Sequence, residues 1–180
     1  MYVQSGLRMF RSGDTYKEAQ KDAMLTLRKV TGELANSSFA DGAGGDRIVL
    51  PSEPDQLVVF PSADDLATNP DNQIWVHDAA NGELLWRKWV LFSLDRNLKL
   101  LNKHELRMPG TARDKLPAPP EPGEFPRKGQ TYGHNIAEMK VNWLEPGDLM
   151  EVVLWTETPP QTGTREGTRI ELRTSVRVEN

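Results

Sequence analysis

Chemistry near neutral pH starts from imidazoles, carboxylates and nucleophiles, and this chain places few of them in a working pattern. Three histidines, His77, His104 and His134, could each hold a metal or move a proton. They fall on separate strand-like segments or at a strand end, and their spacing gives no reason for three rings to converge. "HELR" at His104 lacks the second His, four residues on, that a zinc-protease helix requires, and its surroundings read as strand. "DGAGGD" (41–46) is glycine-rich, yet no Lys-Ser or Lys-Thr follows it and it opens no helix, so it cradles no phosphate. "SADDLATNPDN" (62–72) gathers Asp64, Asp65, Asn69, Asp71 and Asn72, hard oxygen donors of the kind Ca²⁺ takes. Their spacing is not that of an EF-hand, and an acidic surface turn reads the same way. No serine stands in a nucleophile-elbow context. With no cysteine anywhere, a thiol nucleophile, a disulfide and a thiolate metal site are all excluded. No catalytic residue, cofactor or metal site is therefore expected.

Binding chemistry is also sparse. Of five tryptophans, Trp86, Trp89, Trp143 and Trp155 sit in apolar strand patterns and read as core; Trp75 is the one expected to be partly exposed. "NSS" at Asn36 matches the glycosylation acceptor pattern, which carries no weight without a secretory context. A net charge of −4 and a pI near 5.5 leave no basic field for nucleic acid or anionic lipid. The 180 residues are enough for one domain with a substantial core. No run of about 18 apolar residues and no signal peptide is visible.

The elements that would position these residues read as follows. Tyr2, Met9, Tyr16, Ala23 and Val30 recur every seven residues, with Leu27 and Leu34 alongside, predicting a helix from Tyr2 to about Ser38. Its second half has the apolar stripe of a helix that packs on a sheet. The equivalent row of its first half, Gly6, Gly13 and Gln20, is poor core material; small residues there permit close approach of another helix. Two readings stay open at "RSGD": a continuous helix, or a break there with Asp14 as the cap. "NSSFADGAGGD" (36–46) is a loop by composition. Beyond it the period is two, with strands expected at Arg47–Leu50, Gln56–Phe60, Gln73–His77, Glu83–Leu94, Leu98–Leu106, Asn135–Leu144, Leu149–Thr156 and Thr168–Val178. Two strands alternate cleanly: Ala137, Met139, Val141 and Trp143 predict one buried and one wet face, as do Ile170, Leu172, Thr174, Val176 and Val178. Asn81–Gly82 and "EPGD" (145–148) are turn signals between strands. "MPGTARDKLPAPPEPGEFPRKGQTYG" (108–133) is expected to be a long proline-rich loop insertion without regular structure. The expected class is α+β: a long N-terminal helix (1–38) packed on an antiparallel β-sheet (39–180), the two forming one structural domain.

That layout resembles the type IV pilin superfamily, and more narrowly the J-type minor pseudopilins of type II secretion and related minor pilins. The similarity lies in the helix end "DAMLTLRKVTGELANSS", where Leu27, Glu33, Leu34 and Ser37 echo the family's helix ending. It continues in "VLFSLDRNLKLLNKHEL", in "IAEMKVNWLEPGD" and in the closing strand "LRTSVRVEN", where Glu179 stands at a position that is often Arg. The resemblance implies a filament or secretion subunit whose partners are other pilin or pseudopilin subunits. It also implies an apolar N-terminal half-helix ahead of Tyr2, anchored in the inner membrane with the globular part in the periplasm or outside the cell. Tyr2, Gly6, Met9, Gly13 and Tyr16 would then form the inter-subunit face. The alternative is an extracytoplasmic binding module for carbohydrate or peptide, using Trp75 and the acidic loop.

Overall fold

The computed structural model describes residues 2–35, 37, 48–52, 55–63, 86–112, 117–144, 149–158, 167 and 169–178, with 2–15 and 109–112 described by backbone alone. Helix α1 spans Tyr2–Ala35 without interruption, so neither Gly6 nor Gly13 ends it. Ala19, Ala23, Leu27, Val30 and Leu34 are buried, as the 3.6-residue period requires of the face turned inward. Ser37 closes the end, its backbone N–H and hydroxyl both donating to the Leu34 carbonyl, at 3.1 and 2.8 Å.

Among the described residues seven strands follow: β1 (Gln56–Ser62), β2 (Trp86–Asp95), β3 (Leu100–Ala112), β4 (Gln130–Gly133), β5 (Ile136–Leu144), β6 (Leu149–Glu157) and β7 (Arg169–Arg177). They pair antiparallel, but in two sheets rather than one: β1-β2-β3-β4 and β5-β6-β7. The expected fold, a long helix packed on a sheet, is therefore corrected. The described chain is mostly antiparallel β-structure, and only about 20 helical residues, from Tyr16 onward, carry described packing. The reason is coverage. One helical stripe is too narrow to shield seven strands, so the inner faces of the two sheets also bury one another.

That shared core joins Val30 and Leu34 of α1 to Phe60, Phe92 and Leu101 of the first sheet and to Met150, Val152 and Leu154 of the second. A β-bulge between Ile136 and Glu138 lets both Ile136 and Met139 face inward, which interrupts the simple alternation expected in β5. In β7 the expected inward set holds, with Ile170, Val176 and Val178 buried. The sheets are joined at two residues in the left-handed region, Lys99 (φ 53°) and Asn135 (φ 59°). The Ile136 N–H donates to the Lys99 carbonyl at 2.9 Å, Thr156 Oγ1 to the Asn135 carbonyl at 2.7 Å, and Lys99 Nζ meets Glu157 Oε2 at 2.5 Å.

β2 is apolar on both faces, as expected, because its outer face is also covered. Val59, Trp86, Trp89, Leu91 and Met108 form a second core capped by Phe125. Phe125 comes from the proline-rich segment, which is a second correction. β3 runs on to Ala112, Pro122–Glu124 forms a 3-10 turn, and β4 pairs with β3. The prolines deny it a long strand, but a single aromatic gives it a seat. Of the strand at Arg47–Leu50, the described residues show an isolated bridge, Val49 to Val59. The expected strand Gln73–His77, the turns at Asn81–Gly82 and 145–148, Trp75 and the Asp64–Asn72 loop lie outside the described residues. Leu144 pairs with Leu149 all the same, as a turn between β5 and β6 demands.

Candidate functional site

Of the three histidines, His77 lies outside the described residues and His134 is exposed just beyond β4. His104, on β3, has both ring nitrogens engaged. Pro126 offers only a carbonyl, so Nδ1–H donates to it at 2.8 Å, and Nε2 stands 2.8 Å from Ser93 Oγ on β2. A Cβ at Gly129 would lie 2.7 Å from the ring, so the glycine lets the segment press flat against it. The Ser-His pair thus lacks a carboxylate behind the imidazole, and it ties the proline-rich segment to the sheet. Among the described residues no group of three His, Asp or Glu side chains could hold a metal ion.

The densest charge cluster lies between α1 and the first sheet. Lys103 on β3 occupies an inward position two residues after Leu101, and its side chain is only 6% exposed. Its ammonium meets Glu33 of α1 and, at 3.0 Å, Glu105, which Lys88 holds in turn at 2.8 Å. Tyr132 of β4 donates its hydroxyl to Glu33 at 2.8 Å, and its ring lies 5.5 Å from the Lys103 ammonium. Burial alone would lower the Lys103 pKa. The Glu33 charge and the hydrogen bonds to Glu33 and Glu105 outweigh it and hold the pKa above its ordinary value. Burial likewise pushes Glu105 up, and the hydrogen bonds from Lys88 and Lys103 bring it below the usual carboxylate range. All these charges are spent on one another. The cluster fastens helix to sheet and presents no free acid, base or nucleophile to a substrate.

Trp155, expected in the core, is instead half-buried on the solvent side of β6. Lys140 Nζ and the Arg169 guanidinium lie 5.2 and 5.3 Å from its ring centre, and its Nε1–H donates to Glu171 at 3.0 Å. Cross-strand pairs surround it: Arg169 with Glu138 at 2.6 Å and Arg173 with Glu151 at 3.2 Å. An indole with two cations against it presents a poor platform for stacking a sugar.

The helix remains. At about 100° per residue, Tyr16 lies on the same line as Ala23, Val30 and Leu34. Yet it is 41% exposed where Ala23 is 1% and Val30 is fully covered. Among the residues with described side chains the covered stripe ends at Ala19, and the helical backbone continues back to Tyr2. Of the five residues expected to meet partners, only Tyr16 has a described side chain; those of Tyr2, Gly6, Met9 and Gly13 lie outside the described residues. On the opposite face of α1, Met24 and Leu25 are 56% and 46% exposed. They line a shallow groove of about 500 Å³ together with Lys17, Gln20, Lys21 and Arg28. The sequence pattern held this pair in plain view: on a helical projection Leu25 falls roughly opposite the Ala23–Val30 stripe and Met24 about 100° round from Ala23. Among the described residues no helix is long and apolar enough to cross a membrane.

Compared with known proteins, the chain matches no family model, no curated protein and no solved structure.

Proposed function

We propose that this chain is an assembly subunit, a minor pilin or pseudopilin of a type IV pilus or a type II secretion pseudopilus, working through protein–protein contacts near the filament tip. The observation that supports this reading is Tyr16, which lies on the line of Ala23, Val30 and Leu34 yet is 41% exposed. An aromatic left uncovered in line with a buried stripe is suited to contact with another chain. Tyr2, Gly6, Met9, Gly13 and Tyr16 would supply that contact, the glycines allowing close approach and the aromatics area. No catalytic step is assigned, because a subunit of this kind acts by shape. Unequal surfaces meeting head to tail generate an open helical filament.

The sequence resemblance adds an apolar segment ahead of Tyr2 that anchors the protein in the inner membrane, with the sheets in the periplasm. The test is the mature N-terminus of the protein purified from its host's membranes, read by mass spectrometry. The expected result is an N-methylated residue followed by about 20 apolar residues leading into "YVQSGLRMF". A native chain beginning near Tyr2, or after an ordinary signal peptide, overturns the reading.

A further inference from the structure

The groove on the far side of α1 is a second surface, distinct from the Tyr16 line and independent of the assembly proposal. Three cations, Lys17, Lys21 and Arg28, surround Met24 and Leu25, and among the described residues no acidic side chain lines the groove. Among the described residues these three cations form no ion pair, whereas Lys88, Lys103, Arg169 and Arg173 each meet a carboxylate. Of the helix's own acids with described side chains, Asp22 and Glu33 fall on the flank between groove and core in a helical projection, and Glu18 stands at the groove's edge beside Leu25. Among the described residues Met24 and Leu25 are the two most exposed apolar side chains of the helix, and these three cations stand around them.

We propose that Lys17, Lys21, Met24, Leu25 and Arg28 form a docking groove for an acidic amphipathic helix of a partner protein. Three physical points select this occupant. A helix laid along α1 can seat an i, i+4 apolar pair between the Met24 and Leu25 side chains, and methionine adapts its shape to the partner. Glu or Asp flanking that pair would meet Lys17, Lys21 and Arg28, which steers encounter and fixes register. A second copy is disfavoured, because a two-fold interface centred here sets Lys21 and Arg28 against the same cations of the other copy. An anionic bilayer is disfavoured because an interfacial helix needs a continuous apolar face, and here only two apolar residues stand among the cations.

The experiment places a photo-reactive amino acid at Gln20 in the full-length protein expressed in its host, and maps the cross-linked peptide by mass spectrometry. The expected product joins Gln20 to a segment with apolar residues at i, i+4 flanked by Glu or Asp. In the Lys21→Glu/Arg28→Glu variant its yield falls tenfold or more, while circular dichroism of the purified variant stays unchanged. Restoring the yield by Lys substitutions in the mapped acidic segment completes the support. A cross-link to another copy of this chain, a cross-link to lipid, or a mapped segment without that acidic-apolar pattern overturns the proposal. So does a yield that ignores the charge reversal. Flotation with vesicles of phosphatidylglycerol, abolished by the same double variant, overturns it in favour of a membrane.

Discussion

A lysine whose side chain is 6% exposed is tolerable only because two carboxylates share it, and Lys103 has them from different elements. Removing it strands Glu33, itself only 15% exposed, without its cation. Lys103→Ala should therefore cost about 3–5 kcal/mol in urea denaturation, the range for breaking a buried pair from one side. Lys103→Met with Glu33→Leu removes both charges and should recover most of that loss, which a double-mutant cycle would read as strong coupling. If both variants lose the same amount, packing rather than charge holds the seam. The pH dependence follows from the two shifts. Glu105 sits below its model-peptide value of 4.5, so its contribution is full above that value and fades as pH falls through the lower folded pKa. Lys103 sits above 10.5, so its contribution is full below that value and fades as pH rises through the higher folded pKa. A flat stability plateau between these limits is expected from this cluster, and Glu105→Gln should remove its part of the acid-side slope and, because Glu105 also helps hold Lys103 up, start the alkaline-side loss at lower pH.

At the scale of elements, the proline-rich segment behaves as a strap with two fastenings: Phe125 in the second core and Pro126 on His104. Phe125→Ala should cost about 3–5 kcal/mol if that aromatic seals the outer face of β2. It should also expose the neighbouring Arg127–Lys128 bond to trypsin, since both residues are already at the surface. An unchanged digestion pattern would mean the segment is held elsewhere. The strap was hard to read from sequence because proline density signals irregular backbone and outweighs one buried aromatic among many polar neighbours. Periodicity did disclose the buried stripe of α1, the positions of β1, β2 and β5–β7, and the two-sided burial of β2. It could not disclose that the strands divide into two sheets. Strand pairing is set by which apolar faces can cover one another, and that depends on partners distant in the chain. The same limit hid the cation cluster. Lys103 lies in a strand whose alternation points it inward, but its justification, Glu33, is seventy residues earlier. The exposed Met24–Leu25 pair was legible as geometry, whereas its cationic surround acquires meaning only once the core has been located on the other side.

For the whole molecule, the decisive matter is whether the face of α1 marked by the exposed Tyr16 is an interface or merely wet. The chain lends itself to the test because it contains no cysteine, so one introduced thiol reports without background. Tyr16→Cys places that thiol where the covered stripe gives way to solvent. Glu18→Cys places it on another exposed part of the helix, about 160° round, given about 100° per residue. Both replace exposed side chains, so neither should disturb the core by more than about 0.5 kcal/mol. In cells producing the full-length protein, a short bifunctional maleimide should join Tyr16→Cys to cysteines placed on the helices of sister subunits and leave Glu18→Cys unjoined. A single preferred face fits a packed helical array, where each helix meets fixed neighbours at fixed angles. Equal reaction at both positions would describe a helix exposed to all comers, and silence at both would describe one that meets no other subunit. In either of those cases the assembly reading fails, while the acidic-helix groove on the far side stands or falls on its own cross-links.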